Sequence, residues 1–178
     1  MNFETTVEKI RKDIGIPEAV PAFDPENGNE AARFLFLLEA PGPKAIATTI
    51  ISMNNPDPTA QNFKAQIAAA RISKNEIAIW NVVPWYIGTG KNYEKIRSAN
   101  STDLERGIAY LPSVLDRMKN LECVVLVGSK ARMAHVALSR MTNARILSCH
   151  HPSGQSMNGK PERYKENIDV FCFMSSNC

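Results

Sequence analysis

Three polar segments of this chain carry a carboxylate, an amide and an imidazole, each at or just beyond the end of an apolar run. The three side chains are Glu39, Asn81 and His151. The apolar runs before them are Leu35–Leu38, Ile77–Trp80 and Ile146–Leu147. An amide offers both a hydrogen-bond donor and an acceptor, and a preorganised donor can stabilise charge on a departing group. Since ligands of open α/β sheets bind beyond the carboxyl ends of the strands, we expect these side chains around one crevice.

The elements that must position these side chains alternate between strands and helices. The predicted strands are Phe34–Leu38, Ile77–Val83, Cys123–Val127 and Ile146–Cys149. The predicted helices are Thr5–Ile14, Ala60–Arg71, one that begins near Thr102, Lys130–Arg140 and Pro161–Met174. Near-continuous apolar strands alternating with helices indicate a mainly parallel sheet covered on both faces. The predicted fold class is therefore α/β: a three-layer α/β/α sandwich with a mainly parallel four-stranded sheet.

Capping patterns and helical spacing predict some of the helix details. Thr102 and Glu105 form a capping-box pattern, and we expect Pro112 to bend the helix that follows. Ser129 is expected to cap the helix Lys130–Arg140. The last helix is expected to turn three residues inward: Tyr164, Ile168 and Phe171.

Length, composition and charge limit the class of protein. The chain has 178 residues, 44% of them hydrophobic, and we expect a single domain over residues 1–178, with an N-terminal helix and a connecting segment in residues 1–32. No apolar run approaches the roughly 18 residues that cross a bilayer, and Met1–Glu4 lacks the basic-then-apolar order of a signal peptide. The expected location is the cytoplasm, without a membrane partner. The net charge of +3 permits contact with phosphates without requiring it.

The four cysteines do not have the spacing of a metal site. They lie at positions 123, 149, 172 and 178 and form no C-x-x-C pair. Two of them, Cys123 and Cys149, fall in apolar runs where a reduced cysteine acts as a small core residue. Neither a zinc nor an iron–sulfur site is expected from this spacing, and disulfides are not expected in the cytoplasm. We therefore predict no metal and no cofactor.

Three motifs at the predicted strand ends, taken together, resemble those of a known family. In chain order the motifs are Leu38-Glu39-Ala40-Pro41-Gly42, Asn81-Val82-Val83-Pro84-Trp85 and His151-Pro152-Ser153-Gly154-Gln155-Ser156. In order and interval they resemble the uracil-DNA glycosylase superfamily, in the branch with Glu-Ala-Pro-Gly and His-Pro-Ser motifs and without iron–sulfur cysteines. The matching framework covers about residues 33–173. Each motif alone is weak, and three in order make a fairly specific signal.

The resemblance implies a monofunctional DNA glycosylase that hydrolyses the N-glycosidic bond of uracil or a related damaged base, in base excision repair. His151 matches the histidine that stabilises charge on the departing base. Asn81 matches the amide that pairs with O4 and N3–H of uracil and rejects cytosine. Glu39 either helps to polarise water or braces its loop. Three further residues of the first motif are expected to contact the base: Ala40, Pro41 and Gly42.

The resemblance also implies that DNA is the partner and that particular residues contact it. We expect the protein to bind DNA as a monomer. The loop residues are Ser153, Gly154, Gln155, Ser156 and Met157, and either Gln155 or Met157 is expected to fill the position that the base vacates. Lys130 and Arg132 lie at a predicted helix start, where cations reinforce phosphate binding. The alternative for these two residues is a solvated helix face.

Two departures from the family pattern leave other functions open. Many relatives have Asp where this chain has Ala40, and relatives place an aromatic ring against the flipped base soon after the first motif. Between Gly42 and Phe63 the chain has no aromatic residue. The candidate substitutes are Ile51, Met53, Trp85 and Tyr86. The alternatives are a catalytically weak protein that binds damaged DNA, or a hydrolase of small nucleosides or nucleotides.

Overall fold

The computed structural model describes residues 2–89, 93 and 95–178, and its centre is a four-stranded parallel sheet. The strands are β1 (Ala22–Phe23), β2 (Phe34–Leu38), β3 (Ile50–Ile51), β4 (Ile77–Asn81), β5 (Gly88–Thr89), β6 (Lys95–Ile96), β7 (Cys123–Val127) and β8 (Arg145–Cys149). The helices are α1 (Phe3–Ile14), α2 (Pro43–Thr48), α3 (Pro58–Ala69), α4 (Ser101–Ile108), α5 (Leu111–Leu115), α6 (Ser129–Arg132), α7 (His135–Leu138), α8 (Gly154–Met157) and α9 (Pro161–Asn177).

The order of strands in the central sheet is β4-β2-β7-β8, with every pair parallel. The carboxyl ends of all four strands therefore meet at one edge. Leu38 pairs with Asn81 across β2 and β4, and Val127 pairs with Cys149 across β7 and β8. This register brings the residues that follow β2, β4 and β8 to the same edge of the sheet.

Aromatic contacts, stacked on one face and edge-to-face on the other, join the sheet to the helices. On one face, Phe23 stacks between Trp80 of β4 and Phe3 of α1, with centroid separations of 3.9 Å. On the other face, Phe36 of β2 meets Phe63 of α3 at 5.0 Å and Phe171 of α9 at 5.2 Å. Edge-to-face and offset contacts of this kind stabilise a core beyond the area they bury. The two clusters lie on opposite faces, and the predicted three-layer α/β/α fold is confirmed.

The predicted strands agree closely with the observed ones. The strands Phe34–Leu38 and Cys123–Val127 have the predicted bounds, and β8 begins one residue earlier than predicted. The strand β4 ends at Asn81, two residues before the prediction. Its direction nevertheless continues, because the N–H groups of Val82 and Val83 donate to the carbonyl groups of Leu38 and Glu39.

Two helix predictions are wrong in detail. The helix expected at Thr102 begins at Ser101, because Asn100 and Asp103 form the capping box through reciprocal side-chain and backbone hydrogen bonds. Pro112 does not bend this helix. It lies in the first turn of a second helix, α5, where its missing N–H has no partner to lose.

The segment after β7 also differs from its prediction. Gly128, and not Ser129, precedes α6, and its φ of +91° is one that residues with a Cβ rarely adopt. Two short helices, α6 and α7, replace the single helix expected there. The last helix extends to Asn177, and its buried residues are Asn167, Phe171 and Met174. No helix in the described part of the chain has the length and apolar character to cross a bilayer.

Candidate active site

A cleft of about 600 Å³ opens beyond the carboxyl ends of the parallel strands, and Glu39, Asn81 and His151 all line it. Several other predicted site residues also line it: Ala40, Pro41, Gly42, Ser153 and Gln155. The structure thus brings the predicted acid, amide and imidazole together, and it adds residues from α3 and from the segment after β6. The volume falls within the range of ordinary small-ligand sites.

Asn81 ends β4 and presents a buried amide. The residue is 2% exposed, and its Nδ2 has no hydrogen-bond partner in the part of the chain that the structure describes. A buried donor without an acceptor costs roughly 1–3 kcal/mol. A ligand carbonyl in the cleft would recover that cost, so Asn81 is suited to recognise an acceptor on a bound molecule.

His151 is held in one orientation and one tautomer. Its Nδ1 accepts a hydrogen bond from the backbone N–H of Ser153 at 3.2 Å. The neutral ring must then carry its proton on Nε2, which makes Nε2 a donor. Gly128 packs against the ring, and a Cβ on this glycine would lie 3.0 Å from the His151 Cβ. A side chain at position 128 would therefore press on His151, which would have to shift by a few tenths of an ångström.

Burial lowers the pKa of His151 below its ordinary value of 6.5, and the carboxylates of Glu39 and Asp57 oppose the shift in part. Desolvation disfavours the imidazolium, so the ring is neutral at pH 7. A neutral ring with its proton on Nε2 can donate to a substrate oxygen without giving up the proton.

We expect the His151 imidazole to titrate below pH 6.5 in the folded protein, with the ordinary value restored in urea. Because the unfolded chain then binds this proton at a higher pH, the free energy of unfolding should fall as the pH drops from 6.5 through the folded-state pKa. The measurements are NMR titration of the His151 ring and urea unfolding across this range. A folded-state midpoint at or above 6.5 would contradict the burial argument.

Glu39 is tied to the segment that follows β6. Its Oε1 accepts from the Ser98 hydroxyl at 2.8 Å and from the Ala99 N–H at 2.6 Å. On the other side of this segment, Lys130 Nζ donates to the carbonyl of Ala99 at 2.8 Å. One carboxylate oxygen of Glu39 is therefore engaged in bracing the loop, which supports the loop-holding alternative.

The predicted phosphate-binding pair does not line the cleft. Lys130 is committed to the Ala99 carbonyl, and Arg132 borders a separate hollow of about 100 Å³. The helix expected to present them is only the four-residue α6. Lys130 fits neither phosphate binding at the cleft nor the alternative of a solvated helix face, because its ammonium group holds the segment that Glu39 braces. Arg132 is exposed, in keeping with a solvated helix face.

Apolar walls of the cleft come from residues that the sequence analysis treated as core or as substitutes. Ile51, Met53 and Phe63 are each less than 10% exposed and line the cleft. The Phe63 ring is also fixed edge-on against Phe36. The helical spacing of Phe63, Ile67 and Ala70 predicts only that Phe63 is buried, and this spacing carries no signal that separates a core wall from a cleft wall.

Trp85 and Tyr86, two of the proposed stacking substitutes, lie elsewhere. The Trp85 ring meets Tyr110 edge-on at 6.2 Å, with the Arg106 guanidinium over it. Tyr86 packs edge-on against Tyr93 at 5.1 Å. The prediction that either ring enters the cleft is wrong for this conformation.

The loop after the His-Pro-Ser motif forms the short helix α8, and contacts with α3 anchor it. Met157 is 7% exposed, and its Sδ accepts from Gln66 Nε2 of α3 at 3.7 Å. Asn62 of α3 donates to the Pro152 carbonyl at 2.8 Å. The expectation that Met157 could fill a vacated base position is therefore corrected, because its side chain points into the protein. Gln155 is exposed and lines the cleft.

His150 is held away from the cleft by α9. Its Nε2 lies 2.7 Å from Glu166 Oε2, and its backbone N–H donates to Asn167 Oδ1 at 2.8 Å. Asn167 Nδ2 donates back to the His150 carbonyl at 2.9 Å. These bonds fix the backbone directly before His151, so His150 helps to position the loop that carries the imidazole.

Asp57 is a second carboxylate on the cleft that the sequence analysis missed. Its Oδ1 caps α3 by accepting from the Ala60 N–H at 3.0 Å, and it lines the cleft with Glu39. The available signal was an acid directly before Pro58, the position typical of a helix N-cap. Among the described residues, no group of three or more His, Cys, Asp or Glu side chains is placed to hold a metal ion.

Comparisons with known proteins concern both the sequence and the fold. The family model described as Uracil DNA glycosylase superfamily matches residues 25–171. Among solved structures, the chain is similar to the solution NMR structure of a Methanosarcina acetivorans protein provisionally named a uracil DNA glycosylase. The two share 17% sequence identity with a TM-score of 0.57, over 82% of this chain and 92% of that chain. This likeness shows the fold. No match is found among curated proteins.

Proposed function

The chain belongs to the uracil DNA glycosylase superfamily, and from that premise we propose that it is a monofunctional DNA glycosylase. It would hydrolyse the N-glycosidic bond of uracil, or of a related damaged base, and so begin base excision repair. One observation carries the proposal: Asn81 and His151 line the same cleft, and among the described residues neither the buried amide Nδ2 of Asn81 nor the Nε2 donor of the neutral His151 ring has a protein partner. That combination suits a base with two carbonyl groups.

Recognition of the base would fall to Asn81. Its Nδ2 can donate to O4 of uracil, and its Oδ1 can accept from N3–H. Cytosine presents an amino group where uracil has O4, so two donors would face each other and the cleft would reject it. The apolar side chains of Ile51, Met53 and Phe63 are available to contact the faces of the base.

The chemical step needs stabilisation of a departing anion. The bond between C1′ and N1 breaks, its electron pair passes to the base, and charge develops on O2 of the pyrimidine. Water then forms the new bond to C1′, and its proton passes to Glu39, to Asp57 or to solvent. The departed base anion takes up a proton from solvent. The Nε2–H of His151 would donate to O2, where it helps most in the transition state because that is where the charge appears. The base leaves and an abasic site remains in the DNA.

The base must leave the duplex stack before it can enter the cleft, and Gln155 is the exposed side chain of the adjoining loop. We expect Gln155→Ala to lower the rate of excision from duplex DNA by about tenfold, which corresponds to about 1.4 kcal/mol of activation free energy. Excision from single strands, where unstacking costs least, should change little. Single-turnover rates on matched substrates measure both effects.

Met157→Ala is the control for this loop, because Met157 is buried. Removing a buried Met side chain typically costs 2–5 kcal/mol of stability, so this variant should lower the melting temperature. It should reduce excision from single and double strands alike. Equal losses from both substrates in Gln155→Ala would mean that Gln155 only lines the pocket.

A specific observation favours a second candidate, a protein that binds damaged DNA but excises slowly. Ala40 brings no polar group to the cleft, and Oε1 of Glu39 is engaged by Ser98 and Ala99. Activation of the attacking water would then depend on the other oxygen of Glu39 or on Asp57. Slow chemistry with intact recognition would follow if neither group reaches the water.

The deciding experiment uses a duplex with one uracil, followed by alkaline cleavage of abasic sites. Strand cleavage that requires uracil supports the proposed glycosylase. Uracil-dependent binding without cleavage would instead support the weak sensor. Release of uracil from free deoxyuridine at a comparable rate would support a nucleoside hydrolase and overturn the proposal.

A further inference from the structure

A short hairpin formed by β5 and β6 also borders the cleft, and it presents an apolar side chain to solvent. Ile96 is 47% exposed and lines the cleft with Arg97 and Ser98. Among the described residues, it is the one strongly exposed large apolar side chain on the cleft. An exposed isoleucine at the rim of a binding site differs from one on an open surface, because a bound partner can cover it.

The segment that carries Ile96 is firmly tied to the rest of the protein. Ile96 pairs with Gly88 in the hairpin, and the Arg97 N–H donates to the carbonyl of Ile87 at 2.9 Å. The Arg97 guanidinium makes two bonds to Asp103, at 2.5 Å and 3.0 Å. Glu39 then holds the residues directly after Arg97. Ile96 therefore projects from a fixed base, which lowers the entropy cost of using it in binding.

Cationic residues adjoin Ile96 in the chain or line the same cleft. Lys95 and Arg97 flank Ile96 in the chain, and Arg97 keeps 49% of its side chain exposed despite its ion pair. Lys44, also exposed, lines the same cleft. Proteins that kink DNA typically insert an aliphatic wedge between base steps while nearby Arg and Lys side chains contact the backbone. An apolar side chain with cations beside it suits a partner whose outside is polyanionic and whose interior is apolar, as in duplex DNA.

We propose that Ile96 is a wedge that inserts into duplex DNA beside the damaged base, with Lys95 and Arg97 against the flanking phosphates. The inference rests on the proposed function and adds a second contact to that of Gln155. Two wedges at one cleft would separate the tasks: Gln155 fills space near the flipped nucleotide, and Ile96 opens a base step. The partner that binds this rim of the cleft, around Ile96, is the DNA duplex itself.

The test compares Ile96→Ala with two matched variants. Ile96→Leu retains an apolar side chain of equal size, and Ile16→Ala removes an isoleucine that is 49% exposed and lies outside the cleft. Each variant is assayed in single turnover on one uracil strand, alone and in duplex. A 2-aminopurine next to the uracil reports unstacking by its fluorescence, whether or not the base is excised.

We expect Ile96→Ala to lower duplex excision by about tenfold, which corresponds to about 1.4 kcal/mol, and to lower the 2-aminopurine signal by a similar factor. Its single-strand rate should stay within about twofold, since no base step must be opened there. Ile96→Leu and Ile16→Ala should behave as the wild type. Thermal melting of each variant confirms that the comparison is made between folded proteins.

Other outcomes would overturn the inference, and they differ from failure of the proposed function. If the wild type is active and Ile96→Ala matches Ile16→Ala on duplex, Ile96 is no wedge. Equal losses on single and double strands would make it a wall of the pocket. If the wild type were a dimer and Ile96→Ala a monomer, Ile96 would instead contact a second copy of this chain. If the wild type excises nothing, the proposed function fails, and the 2-aminopurine signal alone decides whether Ile96 inserts.

Discussion

Replacing His151 with alanine should lower single-turnover excision of uracil by about 10²–10³-fold, the loss typical of one oxyanion-type donor, or roughly 2.7–4 kcal/mol. The Nδ1 of His151 is already occupied by the Ser153 N–H, so the Nε2–H is the group that the variant removes. Its contribution grows as charge develops on the base, so binding to DNA with an abasic site should remain nearly intact. Rapid-quench assays and an equilibrium binding titration measure the two quantities separately.

His150→Ala is the internal control. The His150 ring is paired with Glu166, and the backbone bonds of His150 to Asn167 do not depend on the ring. This variant should therefore have the smaller effect on excision. If His150→Ala abolished excision while His151→Ala retained it, the catalytic assignment would fail. Joint loss of stability and DNA binding in His151→Ala would mark that histidine as structural.

The strands, and with them the site, could be predicted because burial leaves a simple pattern. The strands β2 and β7 lie at the centre of the sheet, where both faces are covered. Such strands are near-continuous apolar runs. When all four strands of the sheet are parallel, their carboxyl ends lie at one edge. The meeting of Glu39, Asn81 and His151 at one cleft follows from that arrangement alone.

Helix starts were harder, because several local patterns compete and contacts with residues outside the helix decide between them. Thr102 and Glu105 fit a capping box as well as Asn100 and Asp103 do. The structure uses the second pair, and the Asp103 carboxylate also binds Arg97 from the hairpin segment. Such a contact cannot be read from local spacing.

The roles of side chains around the cleft depend on partners far away in the chain. Glu39 is braced by residues 59 and 60 positions later, and Met157 is buried against Gln66, 91 positions earlier. Periodicity shows that Phe63 is buried, and it cannot show which cavity its ring faces. The sequence therefore predicted the location of the site better than the role of each residue in it.

Asn81→Asp should lower uracil excision by about 100-fold, because a hydrogen bond that fails at a charged group costs up to about 3 kcal/mol. The amide donor of Asn81 is buried and has no protein acceptor in the described part of the chain, so its partner would be O4 of the base. A carboxylate there places two acceptors face to face. The same carboxylate can accept from the amino group of cytosine, so rejection of cytosine should relax. Single-turnover rates on uracil and cytosine substrates measure both changes.

A buried carboxylate can also harm a protein by destabilising it, so the effect at position 81 needs a matched control. Asn27 supplies one, because it is 8% exposed and neither atom of its amide has a partner among the described residues. It does not line the cleft. Asn27→Asp should lower the melting temperature while sparing the preference for uracil over cytosine. Asn81→Asp should change that preference, since only there does the new charge face the base. Unchanged kinetics on uracil in folded Asn81→Asp would remove Asn81 from base recognition, and with it the observation on which the proposed function rests.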